Sequence, residues 1–324
     1  MNDRKSKKAQ KAKSSGSSIM NQGQLMPWLF VIPALVIIFI YVAYPTIYTG
    51  YLSLRNKDST EWAMAACREG EACWGVLENY RYVFTSDVML RAFRNNILWL
   101  LIMVPGVTAM GLMIAVLADK VPYENLAKAI IFTPMAISFV GAGVIWGFVY
   151  DYPVNPNDPS IPIIGLLNAI LVGLGQKPVP WLSSPPLINN LALIVVGIWL
   201  YTGFSMTILS AAIKGVPSEL LEAARIDGAT EWHVFWKIMV PIILPTITVV
   251  LTTMTIFTLK LFDVIYVMTG GNFGTNVVAV RMYQEMYVNF EAGRSAAIAV
   301  VLLIMIVPVL IYNIRRFQQQ EAIR

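Results

Sequence analysis

Residues 25–54 run for thirty positions without one charged side chain. A helix needs about 20 apolar residues to cross the hydrocarbon core of a bilayer. Five further stretches are long and apolar enough, so spans are expected at about 28–54, 96–118, 129–150, 190–213, 239–268 and 295–314. Lipid satisfies no backbone N–H or C=O, so each must be a helix, with Pro45, Pro105, Pro134, Pro241, Pro245 and Pro308 tolerated as kinks. The chain is 57% hydrophobic and 13% charged, against about 25% charged in soluble domains. The expected fold class is an all-α integral membrane protein with six transmembrane helices, and a large soluble protein is excluded.

Residues 161–174 are uncharged but too short to span, and they lie in a proline-rich connection from Pro153 to Pro186. They are expected to form a short helix on the outer surface. Six spans put both termini on one side. Residues 1–24, with Arg4, Lys5, Lys7, Lys8, Lys11 and Lys13 against Asp3, form an arm expected to be disordered and cytoplasmic. Residues 25–324 then make the membrane domain. With this topology the inside segments hold 14 Lys and Arg in 68 residues, and the outside segments 9 in 107. The bias follows the positive-inside rule, so both termini are expected in the cytoplasm. The basic balance thus points to membrane lipid as a partner, not to nucleic acid.

The first outside loop contains Cys67 and Cys73. An oxidising compartment favours a disulfide between them, the alternative being two free thiols. No metal site is expected, because the one histidine, His233, falls on the other side. The chain has no G-x-x-x-x-G-K-[ST] loop, no H-E-x-x-H and no nucleophile elbow, so it is read as no enzyme and as holding no cofactor. Lys260 and Asp263 stand near the outer end of the fifth expected span. At i and i+3 they share a helix face, either as an interfacial pair or as a gate in a polar pathway.

Residues 215–238 break the apolar pattern between the fourth and fifth spans. Ser218 is expected to cap a helix starting at Glu219, and Gly228 to end it in the left-handed conformation. Thr230 is expected to cap a second helix that passes Trp232 and Trp236 into the membrane. The alanines at 223 and 224 offer a low-relief face to another protein; the alternative is an amphipathic connector on lipid.

The stretch EAARIDGATEWHVFWKIMVPIILP, residues 222–245, resembles the EAA loop of permease subunits of binding-protein-dependent ABC importers. The matched positions are Glu222, Ala223, Ala224, Asp227, Gly228, Ala229, Phe235, Ile238, Pro241 and Pro245. PWLFVIPALVIIFIYVAYPTIYTGYLSL, FRNNILW and TGGNFGTNVVAVRMYQEMY followed by GRSAAIAVVL are similar to segments of the sugar-importer subgroup, most closely its maltose-type first permease. The resemblance implies a type I ABC importer permease fold in a bacterial cytoplasmic (inner) membrane. It also implies a second homologous permease, two ATPase subunits that bind ATP and Mg, and an extracytoplasmic sugar-binding protein. It makes Glu222, Ala223, Ala224, Asp227 and Gly228 the ATPase-coupling residues. Sugar contacts carried over from the family fall on Gly197, Leu200, Tyr201 and Phe204 in the fourth span. In the fifth they fall on Met254, Phe257, Thr258 and Leu261. The maltose-type pattern has more asparagine here, and this sequence departs from it. The last outside loop is similar to that of permeases for α-glucosides such as trehalose. Other cargoes are glycerol phosphate or a polyol, and a different class is an ion-coupled carrier working alone.

Overall fold

A computed structural model describes residues 29–58, 76–119, 121–153, 165–184 and 186–321. The basic arm and both cysteines lie outside the described residues. All regular structure among the described residues is helical. Among the described residues, five helices are long and apolar enough to cross a membrane, or six spans when one sharply bent pair counts as one.

The chain divides into two units near residue 52. The first contains α1, Leu29–Ser53, whose sequence is apolar throughout. A π-turn covers Phe39–Ala43, where Tyr44 donates its N–H five residues back to Phe39 just ahead of Pro45. A residue without an N–H interrupts the ladder, and a π-turn is one way to absorb the interruption.

The second unit begins with α2, Val76–Thr85, and α3, Asp87–Ala118. Ser86 caps α3 by accepting the Met89 N–H, and Asp87 complements its positive end. At 32 residues α3 is roughly 48 Å long, more than a bilayer core, so part of it extends beyond the hydrocarbon.

The third span is not the kinked helix expected over 129–150. It is two helices, α4 (Glu124–Ala136) and α5 (Phe139–Val149), bent by 100°. Pro134 cannot donate to the ladder, Ile137 is extended, and the Ser138 side chain accepts the Gly141 N–H at 3.0 Å. A proline that ends one helix and a serine that caps the next turn a kink into a break. The short helix expected within 161–174 is present as α6, Leu166–Gly173. The fourth span is α7, Pro186–Lys214.

After α8, Ser218–Ile226, the fifth span is α9, Glu231–Leu259. A second π-turn, Val234–Met239, precedes Pro241. The span stops nine residues short of the expected 268. Thr252, Thr255 and Thr258 each bond back to the carbonyl four residues earlier, which competes with the helical ladder. Lys260 ends the helix, and Asp263 opens a new one, α10, Asp263–Thr269. Two helices on the far side of this break complete the chain, α11 (Val278–Tyr287) and α12 (Ala292–Glu321).

The core forms where α3, α7 and α9 meet, around Trp99, Met103, Leu193, Met206, Leu209 and Met254. Two glycines set the spacing. A Cβ at Gly111 would lie 2.8 Å from the Met206 backbone nitrogen, and one at Gly203 2.7 Å from Phe132 Cα on α4. A smaller cluster of Val83, Met89, Val278 and Ile298 joins α2, α3, α11 and α12.

Candidate functional site

The polar segment 215–238 and the α10–α11 region lie at opposite ends of α9. The helix between them is 29 residues and roughly 43 Å long.

At the first end, α8 has no buried residue. Glu222, Ala223, Asp227 and Gly228 are exposed, Ala224 is half-buried, and Ile226 is 86% exposed. Ser218 is not the cap expected from the sequence. Pro217 takes the cap position with φ −57° and ψ 126°, and the helix starts at Ser218 with no side-chain cap. Proline's locked φ suits that boundary, so it moves the start back by one residue. The end of α8 is as expected. Gly228 has φ +85°, its N–H bonds the Arg225 carbonyl at 3.0 Å, and Ala229 N–H bonds the Ala224 carbonyl at 2.9 Å. These two bonds are the Schellman pattern. Thr230 then caps α9 by accepting the His233 N–H at 3.4 Å, and its hydroxyl meets His233 Nδ1 at 2.8 Å. Arg225 Nε donates to Glu231 Oε1 at 2.7 Å across the turn. That contact holds the Arg225 pKa above its ordinary value. Trp232 and Trp236 stack edge-on at 5.6 Å beside the last turns of α3.

An ion cluster that sequence reasoning missed stands next to this segment. Lys128 of α4 donates to Asp119, Ser210 and, at 2.6 Å, Glu124; Lys214 at the end of α7 also meets Glu124. The Glu124–Lys128 spacing of four was the available signal.

The expected substrate residues divide into two groups. Gly197, Leu200, Met254, Thr258 and Leu261 are buried in the packed core. A Cβ at Gly197 would lie 3.1 Å from Trp99 and Met103, and Thr258 already donates to the Met254 carbonyl at 2.8 Å. Tyr201, Phe204 and Phe257 form a cluster instead. Tyr201 lies 5.6 Å and Phe204 6.3 Å from Phe257, and Phe139 of the broken span joins at 6.2 Å from Tyr201. Phe257 is 38% exposed. Lys260 and Asp263 do not share a helix face. The break at 260–262 separates them, and no ion pair joins them among the described residues.

At the far end, four buried asparagines hold the loop between α10 and α11. Asn95 Nδ2 donates to the Gly274 and Asn276 carbonyls, each at 2.7 Å. Asn189 donates to the Phe273 carbonyl at 2.6 Å and Asn190 to Gly274 at 3.4 Å. Asn96 accepts the Val278 N–H at 2.9 Å. Gln284 of α11 donates to the Gly270 carbonyl at 2.8 Å. Phe273, at the loop apex, is left-handed with φ +55°.

A family model described as binding-protein-dependent transport system inner membrane component matches residues 9–320. The chain belongs to this family. As one of these inner membrane components it is a multi-pass membrane protein. It is 51% identical over 297 residues to the osmoprotective compounds uptake permease protein GgtC of Synechocystis sp., covering 91% of this chain and 100% of that one. It is 46% identical over 299 residues to the alpha-glucoside transport system permease protein AglF of Rhizobium meliloti, covering 92% and 84%. The trehalose/maltose transport system permease protein MalF of Thermococcus litoralis is 27% identical over 281 residues, covering 86% of this chain and 89% of that one. A crystal structure of a bacterial ABC transporter involved in the import of the acidic polysaccharide alginate contains a chain that superposes with a TM-score of 0.72. It covers 91% of this inner membrane component and 96% of that chain at 21% identity. This match shows the type I importer permease fold.

Proposed function

We propose that this chain is one of two homologous permeases in an ATP-driven importer of neutral α-glucosides. It lines half of the pathway and receives work through α8. The observation that carries the reading is the exposed helix α8, which buries none of its residues and is joined through the Gly228 turn to a transmembrane helix. The cargo rests on the relatives named for α-glucosides and osmoprotective compounds.

In this reading two ATPase subunits bind ATP and Mg, and α8 docks on one of them. Glu222 makes the charged contact, Ala223 and Ala224 let the helix approach closely, and Asp227 with Gly228 forms the turn. The Schellman bonds, the Thr230 cap and the Arg225–Glu231 pair carry the displacement into α9. At the far end of α9, Tyr201, Phe204 and Phe257 face the sugar, because pyranose faces stack well on aromatic rings. Both termini are cytoplasmic, and an extracytoplasmic binding protein delivers cargo at the α10–α11 end. The 14-to-9 bias in basic residues supports that orientation. A phosphorylated cargo would want fixed cations along the path, and Lys260 is the one this part of the sequence offers.

The test is co-reconstitution with the second permease, the ATPase and the binding protein in proteoliposomes. ATP-dependent uptake of radiolabelled trehalose or sucrose, without glycerol 3-phosphate uptake, is expected. Ion-gradient-driven uptake by this chain alone would overturn the proposal.

A further inference from the structure

The α10–α11 end carries aromatic rings that the pathway described above does not use. Phe262 stacks on Tyr266 at 4.9 Å, and both meet Tyr283, at 5.2 and 4.9 Å. Tyr283 continues to Tyr287 at 4.8 Å. The rings come from two helices, α10 and α11, and grade from half-buried Phe262 to Tyr287 at 63% exposure.

These rings do not move independently. Gln284, between Tyr283 and Tyr287, bonds the Gly270 carbonyl at the end of α10, and the asparagines of α3 and α7 fix the loop between the helices. Asp263, one residue after Phe262, is exposed, joins no ion pair among the described residues, and lies within electrostatic reach of Tyr201. The array is a run of contacting rings, and the exposed Asp263 follows Phe262 at its half-buried end. It matches what a polyhydroxylated ring needs: flat apolar faces for its C–H bonds, and acceptors and hydroxyls for its O–H groups.

We propose that Phe262, Asp263, Tyr266, Tyr283 and Tyr287 form a second carbohydrate subsite at the mouth of the pathway. It takes a neutral pyranose and holds it before the sugar reaches Tyr201 and Phe257. Tyr287 and Tyr283 receive the ring first, and Asp263 accepts hydroxyl hydrogen bonds where the array adjoins Tyr201. The proposal rests on the sugar-permease reading.

The test uses the full importer in proteoliposomes, with its binding protein saturated in radiolabelled trehalose or, separately, sucrose. Tyr283→Ala and Asp263→Asn should each lower maximal uptake by about tenfold, the worth of one stacked or charge-assisted contact. ATP hydrolysis stimulated by the loaded binding protein should stay near wild type. Tyr283→Phe should keep most of the uptake, because the ring face remains. Tyr287→Ala removes the most exposed ring, so it loses little packing; it should still lower uptake severalfold. Wild-type uptake in the Tyr287→Ala and Asp263→Asn variants would overturn the subsite. So would a parallel fall in stimulated hydrolysis and uptake, which would make these rings a docking or packing surface. If the wild-type importer hydrolyses ATP but moves neither sugar, the sugar reading itself fails and the subsite falls with it.

Discussion

Arg225 and Glu231 form an ion pair across the turn at Gly228, with Nε 2.7 Å from Oε1. The pair closes a joint that is already fixed by backbone bonds on one side and by the Thr230 cap on the other. Both side chains are well exposed, so the pair adds direction more than stability. Gly228 is the part that cannot be replaced. A Cβ there meets nothing, but φ +85° strains any L-residue by about 1–2 kcal/mol. Proline cannot reach that φ and would also remove the N–H that bonds Arg225. Gly228→Pro, and Glu222→Lys on the exposed face of α8, are expected to leave ATP hydrolysis running while uptake collapses. The ratio of sugar moved to ATP hydrolysed in proteoliposomes measures this.

Glu285 is fully buried and its Oε1 meets Arg281 at 2.5 Å; Tyr82 donates to the same oxygen and Asn289 to Oε2. Burial alone would raise its pKa. The Asn289 and Tyr82 hydrogen bonds and the Arg281 charge outweigh it, so the pKa lies below the ordinary carboxylate range. A carboxylate with a depressed folded pKa contributes stability that is complete above its unfolded pKa of about 4.3 and is lost as pH falls through the folded value. Glu285→Gln should therefore melt lower at pH 7, by up to about 3 kcal/mol, because half-buried Arg281 loses its carboxylate and keeps only Tyr82 and Gln284 as acceptors. It should also show a flatter acid limb than wild type. Thermal unfolding in detergent from pH 7 to pH 3 reads both effects.

The spans were legible because a long uncharged run has one solution in lipid, and the α8 turn because glycine and threonine each mark a helix end. The break at Ile137–Ser138 was not. The apolar run continues through it, and Pro134 begins a kink and a break alike; Ser138, four residues on, was the discriminating residue. The Lys128 cluster was not legible either, because its partners Asp119 and Ser210 lie more than a helical turn from it in sequence. The asparagine pairs at 95–96 and 189–190 gave no hint that they face one loop, since the contact between Asn95 and Gly274 spans 179 positions. Among the expected sugar contacts, the sequence could not tell which ones the core buries. Helix rotation decides whether a residue faces the core, and neither Met254 nor Phe257 announces it.

The asparagine clamp makes its own prediction. Asn95 is buried, and its amide serves two carbonyls at once. Asn95→Ala takes this donor from the Asn276 carbonyl and leaves the Gly274 carbonyl with only the long Asn190 bond, at a cost of about 1–3 kcal/mol. The loop 270–278 should then exchange its amide hydrogens faster, while the amides of α7 and α9 keep their protection. Hydrogen exchange followed by mass spectrometry reports the two regions separately.

Gly203 sits where α7 crosses α4, with Phe132 Cα and the Ile131 carbonyl oxygen each 2.7 Å from the place an added methyl would occupy. Backbone cannot rotate away as a side chain can, so the helices must part. Gly203→Ala is expected to destabilise the protein by about 1–3 kcal/mol. Gly147→Ala on α5 is the control. Its added methyl meets nothing within 4 Å, so the change should be neutral or slightly stabilising, by up to about 1 kcal/mol. Melting temperatures of the two variants in the same detergent decide the point.

The last prediction separates the residues that face the pathway from those packed behind it. Tyr201 and Phe257 hold their rings 5.6 Å apart with Phe257 partly exposed, whereas the Thr258 hydroxyl is fully buried and bonded to the Met254 carbonyl. Tyr201→Ala and Phe257→Ala should each lower uptake by about tenfold at saturating binding protein, the worth of one lost stacking contact. Thr258→Val keeps the shape and removes a hydroxyl that the sugar does not meet, so uptake should change by less than about twofold. Should Thr258→Val prove as damaging as Phe257→Ala, α9 must rotate during transport to present Thr258, and the pathway wall would lie one residue further round the helix.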